Sequence, residues 1–158
     1  MSSVSDWEAT SNPVKENRAG IFTPGGGLVA EYAKSNLVVA AGEHLLCRPG
    51  SGEIVQVDVD GIRVGVLICH DDNFTAPALR HARAGTRLLA IPTNDWAAVK
   101  DAHLENVPWR AIENRLAIVR GASNGISAII APDGRIVERM DHVHDGYGMV
   151  VGDVPVRI

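Results

Sequence analysis

The run from Ile62 to Cys69 (IRVGVLIC) is almost continuously apolar, ends in a thiol, and is followed at once by His70-Asp71-Asp72-Asn73. In layered α/β structures ligands gather outside the carboxyl ends of the strands. A thiol at such a junction meets solvent while the strand behind it keeps it rigid. A free Cys titrates near ~8.5 and needs a neighbouring cation or base to act as a nucleophile at neutral pH. The competing reading makes Cys69 one more small apolar residue of its strand. A linear Cys69-His70-Asp71 triad is the weakest reading, because adjacent residues on a strand end point in different directions. Of the 6 histidines, only His142 and His144 have close ligand-like spacing. They lie in a Gly- and Asp-containing polar stretch that reads as a surface loop, so no metal or other cofactor is assigned. Pro24-Gly25-Gly26-Gly27 imitates a phosphate loop but lacks the following Lys-Ser/Thr and any helix signal, so it reads as a turn.

The elements that must position Cys69 follow from pattern and punctuation. Residues 18–23 and 28–33 flank the glycine turn as a hairpin. Residues 53–60 alternate, and Asp60-Gly61 is a strong hairpin turn leading into the apolar strand 62–69. Thr75 is placed to cap a helix over 76–84 that Gly85 stops, and 87–91 is a second buried strand. Strand, helix and strand form a right-handed βαβ unit with adjacent parallel strands. Residues 101–114 carry Leu104, Val107, Ala111 and Ile112 at helical spacing, with Pro108 implying a kink or a late start. Strands follow at 116–120, 126–131 and 135–139, the last two joined through Pro132-Asp133-Gly134. The stretch 141–147 reads as a loop and 149–154 as a last strand. The pattern predicts an α/β fold: a mixed sheet, part parallel and part antiparallel, with helices on one side.

With 158 residues and 46% hydrophobic content, the chain has enough apolar surface for one domain without disulfide staples. A formal net charge of −4 argues against a nucleic-acid partner. No apolar run reaches the ~18 residues of a membrane span, and residues 1–12 lack the apolar core of a secretory signal. Cys47 and Cys69 are too few for a disulfide framework. The expectation is a soluble, cytoplasmic chain with free thiols, in which 1–15 is a polar leader and 16–158 the folded domain.

Several segments, in order, resemble the nitrilase or carbon–nitrogen hydrolase superfamily, closest in flavour to the apolipoprotein N-acyltransferase-like domain. They are Tyr32-Ala33-Lys34-Ser35-Asn36-Leu37-Val38 with Gly42-Glu43; Gly65-Val66-Leu67-Ile68-Cys69-His70-Asp71; Pro92-Thr93-Asn94-Asp95-Trp96; Trp109-Arg110-Ala111-Ile112-Glu113-Asn114; and 123–134. The resemblance implies an α-β-β-α sandwich and a Glu-Lys-Cys catalytic set that forms a thioester on Cys. Residue by residue, it places Cys69 at the nucleophile, Lys34 at the oxyanion-stabilising lysine, and Glu43 at a second glutamate that positions the lysine or assists proton transfer. It puts the His70 amide in the oxyanion hole and Asp71, Asn94, Asp95 and Trp96 around the pocket. Lys34 near the sulfur implies a thiol that titrates lower than an ordinary one.

The sequence departs from the family pattern at three places. His70-Asp71 stands where acyltransferase-type members carry an aromatic residue and Glu. Val39-Ala40-Ala41 replaces a Pro-aromatic segment, which lengthens the Lys-to-Glu spacing by one. The upstream general-base Glu has no match, since Glu8 and Glu16 lie in or beside the polar leader. The resemblance therefore covers the C-terminal half of a nitrilase-type domain. It implies a thiol-dependent amide hydrolase or acyltransferase acting on a small amide or acyl substrate. The alternative is a catalytically incomplete structural or interaction subunit that self-associates or pairs with a complementary N-terminal half.

Overall fold

The computed structural model describes residues 15–156, so the polar leader lies almost wholly outside the described residues. Two sheets form. The smaller is the hairpin of β1 (Arg18–Phe22) and β2 (Leu28–Ala33), antiparallel, with Arg18 opposite Ala33. The larger has six strands in sequence order: β3 (Gln56–Val59), β4 (Ile62–Val66), β5 (Leu88–Asn94), β6 (Ala117–Ser123), β7 (Ile126–Ile130) and β8 (Ile136–Asp141). Strands β4, β5 and β6 run parallel, and the outer pairs are antiparallel. The sheet is therefore mixed, and the βαβ unit has the expected adjacent parallel strands.

The helices in chain order are α1 (Glu43–Leu46), α2 (Thr75–Arg83), α3 (Lys100–Asn114) and α4 (His142–Asp145). Side chains alternate across a strand, so one face of the sheet carries Leu89, Ile91, Ile118, Ala128 and Ile130, all essentially inaccessible. Leu104, Val107 and Ala111 of α3 are buried with them in the core. The opposite face carries Ala90, Pro92, Val119 and Gly121, which are half-buried or exposed. One face of the sheet is thus covered, and the other, where Val66, Ala117 and Ile129 are buried, is open around Ala90, Pro92, Val119 and Gly121. No described helix is long and apolar enough to cross a membrane.

Five local expectations are corrected. The ladder of the strand expected over 62–69 stops at Val66. Leu67 and Ile68 stay buried, and the chain then turns at Cys69 into a 3-10 turn, Cys69–Asn73, because the Asp71 carboxylate accepts the Ile68 N–H at 3.1 Å. Thr75 is the first helical residue rather than the cap, since that turn runs straight into α2 and the Phe74 N–H is already bonded to the Asp71 carbonyl. The polar stretch 141–147 contains a helical turn, α4, whose Val143 N–H is received by the Asp141 side chain at 3.0 Å. Residues 149–154 form no strand, because their backbone pairs with no sheet edge, and Met149 and Val151 stay exposed. Helix α3 starts at Lys100 and runs through Pro108, so Pro108 marks no late start.

Candidate active site

Cys69 occupies the left-handed region, with φ 47°. That backbone conformation is costly for a residue with a side chain and survives only where the surroundings impose it. Asp71 imposes it. Fully buried, its carboxylate accepts the Tyr32 hydroxyl at 2.9 Å, the Ser35 hydroxyl at 3.0 Å, and the Asn36 backbone N–H and side-chain amide at 2.8 and 2.9 Å. The carboxylate that closes the nucleophile turn also anchors the segment just after Lys34. Burial beside this anion pushes the Tyr32 hydroxyl pKa up, so it stays a donor.

Lys34 is buried, and its Nζ donates to Glu43 Oε2 at 2.7 Å. Glu43 Oε2 also accepts the Val38 N–H at 2.7 Å, and Oε1 accepts the Asn17 side-chain amide at 2.9 Å. Burial works against the Glu43 charge, but these donors outweigh it and hold the carboxyl below its usual range. Lys34, Glu43, Cys69, Asn94, Asp95 and Trp96 line one cavity of about 490 Å³. The structure therefore brings together the residues singled out in the sequence, apart from Asp71, which lies beneath them, and His70, which lines a neighbouring recess.

The Cys69 sulfur lies 3.9 Å from the Asn94 carbonyl oxygen. Burial pushes its pKa up, and the Lys34 charge and the His70 backbone N–H only partly offset this, with Asp95 adding to the rise. The expected low-titrating thiol is thus corrected: desolvation outweighs the lysine, and the resting sulfur is a thiol. The His70 ring stands edge-on to Phe74 at 5.3 Å, and its Nδ1 is 2.7 Å from the Asn73 amide nitrogen. Burial first, then the charges of Lys34 and His103, lower its pKa, so the ring is neutral and accepts from Asn73. Asn94 receives the Ser123 hydroxyl at 2.9 Å and the Asn124 amide at 3.2 Å, which ties the tip of β5 to the β6–β7 turn. Trp96 is half-exposed.

Beside the thiol lies a buried ionic network that the sequence reading missed in part. His103 Nδ1 is 2.6 Å from Asp95 Oδ1, and Nε2 is 2.8 Å from Asp72 Oδ1. Arg120 Nη2 donates to Asp95 Oδ2 at 2.8 Å and lies 2.9 Å from His103 Nδ1. Burial disfavours charge on His103, but the two carboxylates prevail and raise it to about 9. The ring is then an imidazolium donating from both nitrogens, and Arg120 adjoins it without donating to it. The Cys69 sulfur, an Asp95 oxygen and a His103 nitrogen lie within 4.8 Å of one another. On distance alone they could hold a cation or act as a thiol–imidazole pair. Chemically, His103 has no free lone pair for either role. Its signal in the sequence was the residue's place beside Leu104 on the apolar stripe of α3; Arg120 announced itself by occupying an inward position of β6, two residues after Ile118.

A family model for carbon–nitrogen hydrolases matches residues 1–156, and the chain belongs to that family. It is 36% identical over 108 residues to apolipoprotein N-acyltransferase 1 of Treponema pallidum, a match covering 66% of this chain and 19% of that protein. To the apolipoprotein N-acyltransferase of Mycolicibacterium smegmatis it is 28% identical over 162 aligned positions, covering 90% of this chain and 27% of that protein. An amidase from Nesterenkonia sp. superimposes with a TM-score of 0.72 at 21% identity, over 78% of this chain and 50% of the other. Saccharomyces cerevisiae Nit3, a member of branch 10 of the nitrilase superfamily, gives 0.72 at 23%, over 80% and 49%. The fold is thus of the nitrilase α-β-β-α type. The chain spans well under a third of the acyltransferases and about half of the solved structures.

Proposed function

We propose that the described residues form part of a thioester-forming carbon–nitrogen hydrolase site and that this part is catalytically incomplete, so that the chain acts as a nitrilase-type interaction subunit until a free carboxylate is brought to Cys69. One observation carries this reading. Both carboxylates in the cavity are committed to cations: Glu43 to Lys34, and Asp95 to His103 and Arg120. Each is held below its ordinary pKa, while the thiol is held above its own. A weak base facing a weak acid is a poor pair for proton transfer. The open sheet face at Ala90, Pro92, Val119 and Gly121 is where a complementary layer would pack.

Once such a carboxylate removes the Cys69 proton, the remaining parts are placed for acyl transfer. The thiolate sulfur bonds to an amide or ester carbonyl carbon. The electron pair displaced onto oxygen is held by the Lys34 ammonium and the His70 N–H. The amine or alcohol leaves with the proton returned, and water or an amine then cleaves the thioester. Support from relatives is chemical: a Glu-to-Gln mutant of the Nesterenkonia amidase shows Michael addition of acrylamide at its active-site cysteine. The free thiols of Cys47 and Cys69 suit a reducing, cytoplasmic setting.

The test compares the purified chain with its Cys69→Ala variant on simple amides and on p-nitrophenyl acetate. Turnover by the wild type should not exceed that of the variant, while acrylamide at alkaline pH should add once to Cys69. Steady amide turnover abolished by Cys69→Ala would overturn the incompleteness. A Cys69 inert to acrylamide until the chain unfolds would overturn its role as nucleophile.

A further inference from the structure

We infer that a second recess beside the thiol receives the acyl side of the substrate and limits it to a short chain. The inference rests on the reading of Cys69 as the thioester cysteine. The recess has a volume of about 260 Å³ and leads from Cys69 between the 3-10 turn and the start of α3. Trp96, Val99 and Ala102 form its apolar wall, and the polar side chains His70, Asn73 and Asn106 also line it. The Lys34 cavity shares Val38, Cys69, Asp95 and Trp96 with it, but not Val99, Ala102, His70, Asn73 or Asn106. A carbonyl bonded to the sulfur with its oxygen toward Lys34 therefore has two directions left: the acyl substituent takes the recess, and the leaving group takes the open cavity.

Two features set the size. Pockets for drug-sized ligands run to roughly 300–1,000 Å³, so this one suits a smaller group. The turn and α3 are also tied together where Asn106 Nδ2 donates to Asn73 Oδ1 at 2.9 Å, and Asn73 in turn donates to His70 Nδ1. Asn73 lies four residues along a 3-10 turn from Cys69, which is ~8 Å at that helix's rise. An extended chain advances ~3.5 Å per three bonds, so the bridge is met after about seven bonds. Acyl groups of up to about six carbons fit before it. Longer ones must displace this solvent-facing bridge between the turn and α3.

The test uses linear alkyl methanethiosulfonates from methyl to decyl at pH 9, where no general base is required. The Cys69 thiolate attacks the probe's sulfenyl sulfur, a mixed disulfide forms, and methanesulfinate leaves. Rates at Cys69 are read by peptide mass spectrometry and divided by those at Cys47, which removes the intrinsic trend of the reagents. The ratio should be level from methyl to about hexyl and at least tenfold lower for decyl. Ala102→Leu should move the fall to shorter chains, and Asn106→Ala should move it to longer ones. A ratio that does not vary with chain length, or a fall that neither substitution moves, overturns the assignment. Because these probes modify any accessible thiol, that result is separable from a failure of Cys69 in acyl chemistry.

Discussion

The Tyr32 hydroxyl donates to the Asp71 carboxylate at 2.9 Å, joining residues 39 positions apart in the chain and on opposite sides of the site. Tyr32 lies two residues before Lys34, and Asp71 two residues after Cys69. This contact, with those from Ser35 and Asn36, fixes the lysine loop against the nucleophile turn. Asp71→Asn retains the shape and removes the charge. Hydrogen bonds to charged groups contribute about 1.5–3 kcal/mol each, and the new amide would face donors. The expected loss is about 3 kcal/mol in urea unfolding, with Cys69 alkylation becoming as fast as that of Cys47 as the turn loosens. Unchanged stability would remove Asp71 from this role.

Lys34 is the cation that partly offsets burial at Cys69. Lys34→Met should therefore raise the midpoint of Cys69 alkylation with pH, while Cys47 titrates as before. The same substitution leaves Glu43 without its cation in a partly buried place, which should cost about 3 kcal/mol. Adding Glu43→Gln should recover much of that stability and none of the thiol titration. Recovery of both would mean that Lys34 acts on Cys69 only through the fold.

His103 supplies a stability that depends on pH. Its pKa is raised from the ordinary 6.5 to about 9 by Asp72 and Asp95 acting against burial. The folded state thus holds this proton more tightly than the unfolded one. The contribution is fully present below pH ~6.5 and is lost as pH rises through about 9; it amounts to about 3 kcal/mol at 1.4 kcal/mol per pH unit. Urea midpoints measured from pH 6 to 9.5 should fall for the wild type. The fall should be much shallower for His103→Gln, and the difference between the two removes the titration of the thiols. Parallel curves would show the ring to be neutral in the fold.

Gly125 is required by Asp95. A Cβ built at Gly125 would stand 2.6 Å from Asp95 Oδ2, the oxygen that receives Arg120. Gly125→Ala must displace that carboxylate from a network with no slack. A loss of about 1–3 kcal/mol is expected, as for other overpacked interiors, together with a lower Cys69 pKa as the anion moves away. Thermal unfolding and the alkylation profile check the two effects separately.

Much of the frame was legible because local pattern and tertiary role agree there. The apolar run into Cys69, the Asp60-Gly61 turn and the hairpin at Pro132-Asp133-Gly134 each say the same thing at short range as the sheet does at long range. Asp60 and Gly61 both take positive φ, as such a turn requires. The strand expected over 149–154 shows the limit: alternation describes a side-chain pattern, but a strand also needs a partner edge. The end of β4 was hidden for a related reason. Leu67, Ile68 and Cys69 continue the apolar pattern after the ladder stops, and Leu67 and Ile68 stay buried beyond its last paired residue. In the site, Cys69, Lys34 and Glu43 could be named from motif. The pairing of His103 with Asp72 and Asp95 could not, because it depends on a helix register against two loops that sequence spacing does not encode.

Lys34 directly follows β2, in a two-stranded sheet that shares no ladder with the six strands leading to Cys69. A two-stranded hairpin is at best marginal by itself. The two halves of the oxyanion hole therefore reside in different cooperative units, and local opening can part them while the main sheet stays folded. Amide hydrogens of β1 and β2 should exchange with solvent at lower denaturant than those of β5 and β6. Between those two concentrations lies a partly open species, native in its sheet and in its thiol turn, from which the lysine has already gone.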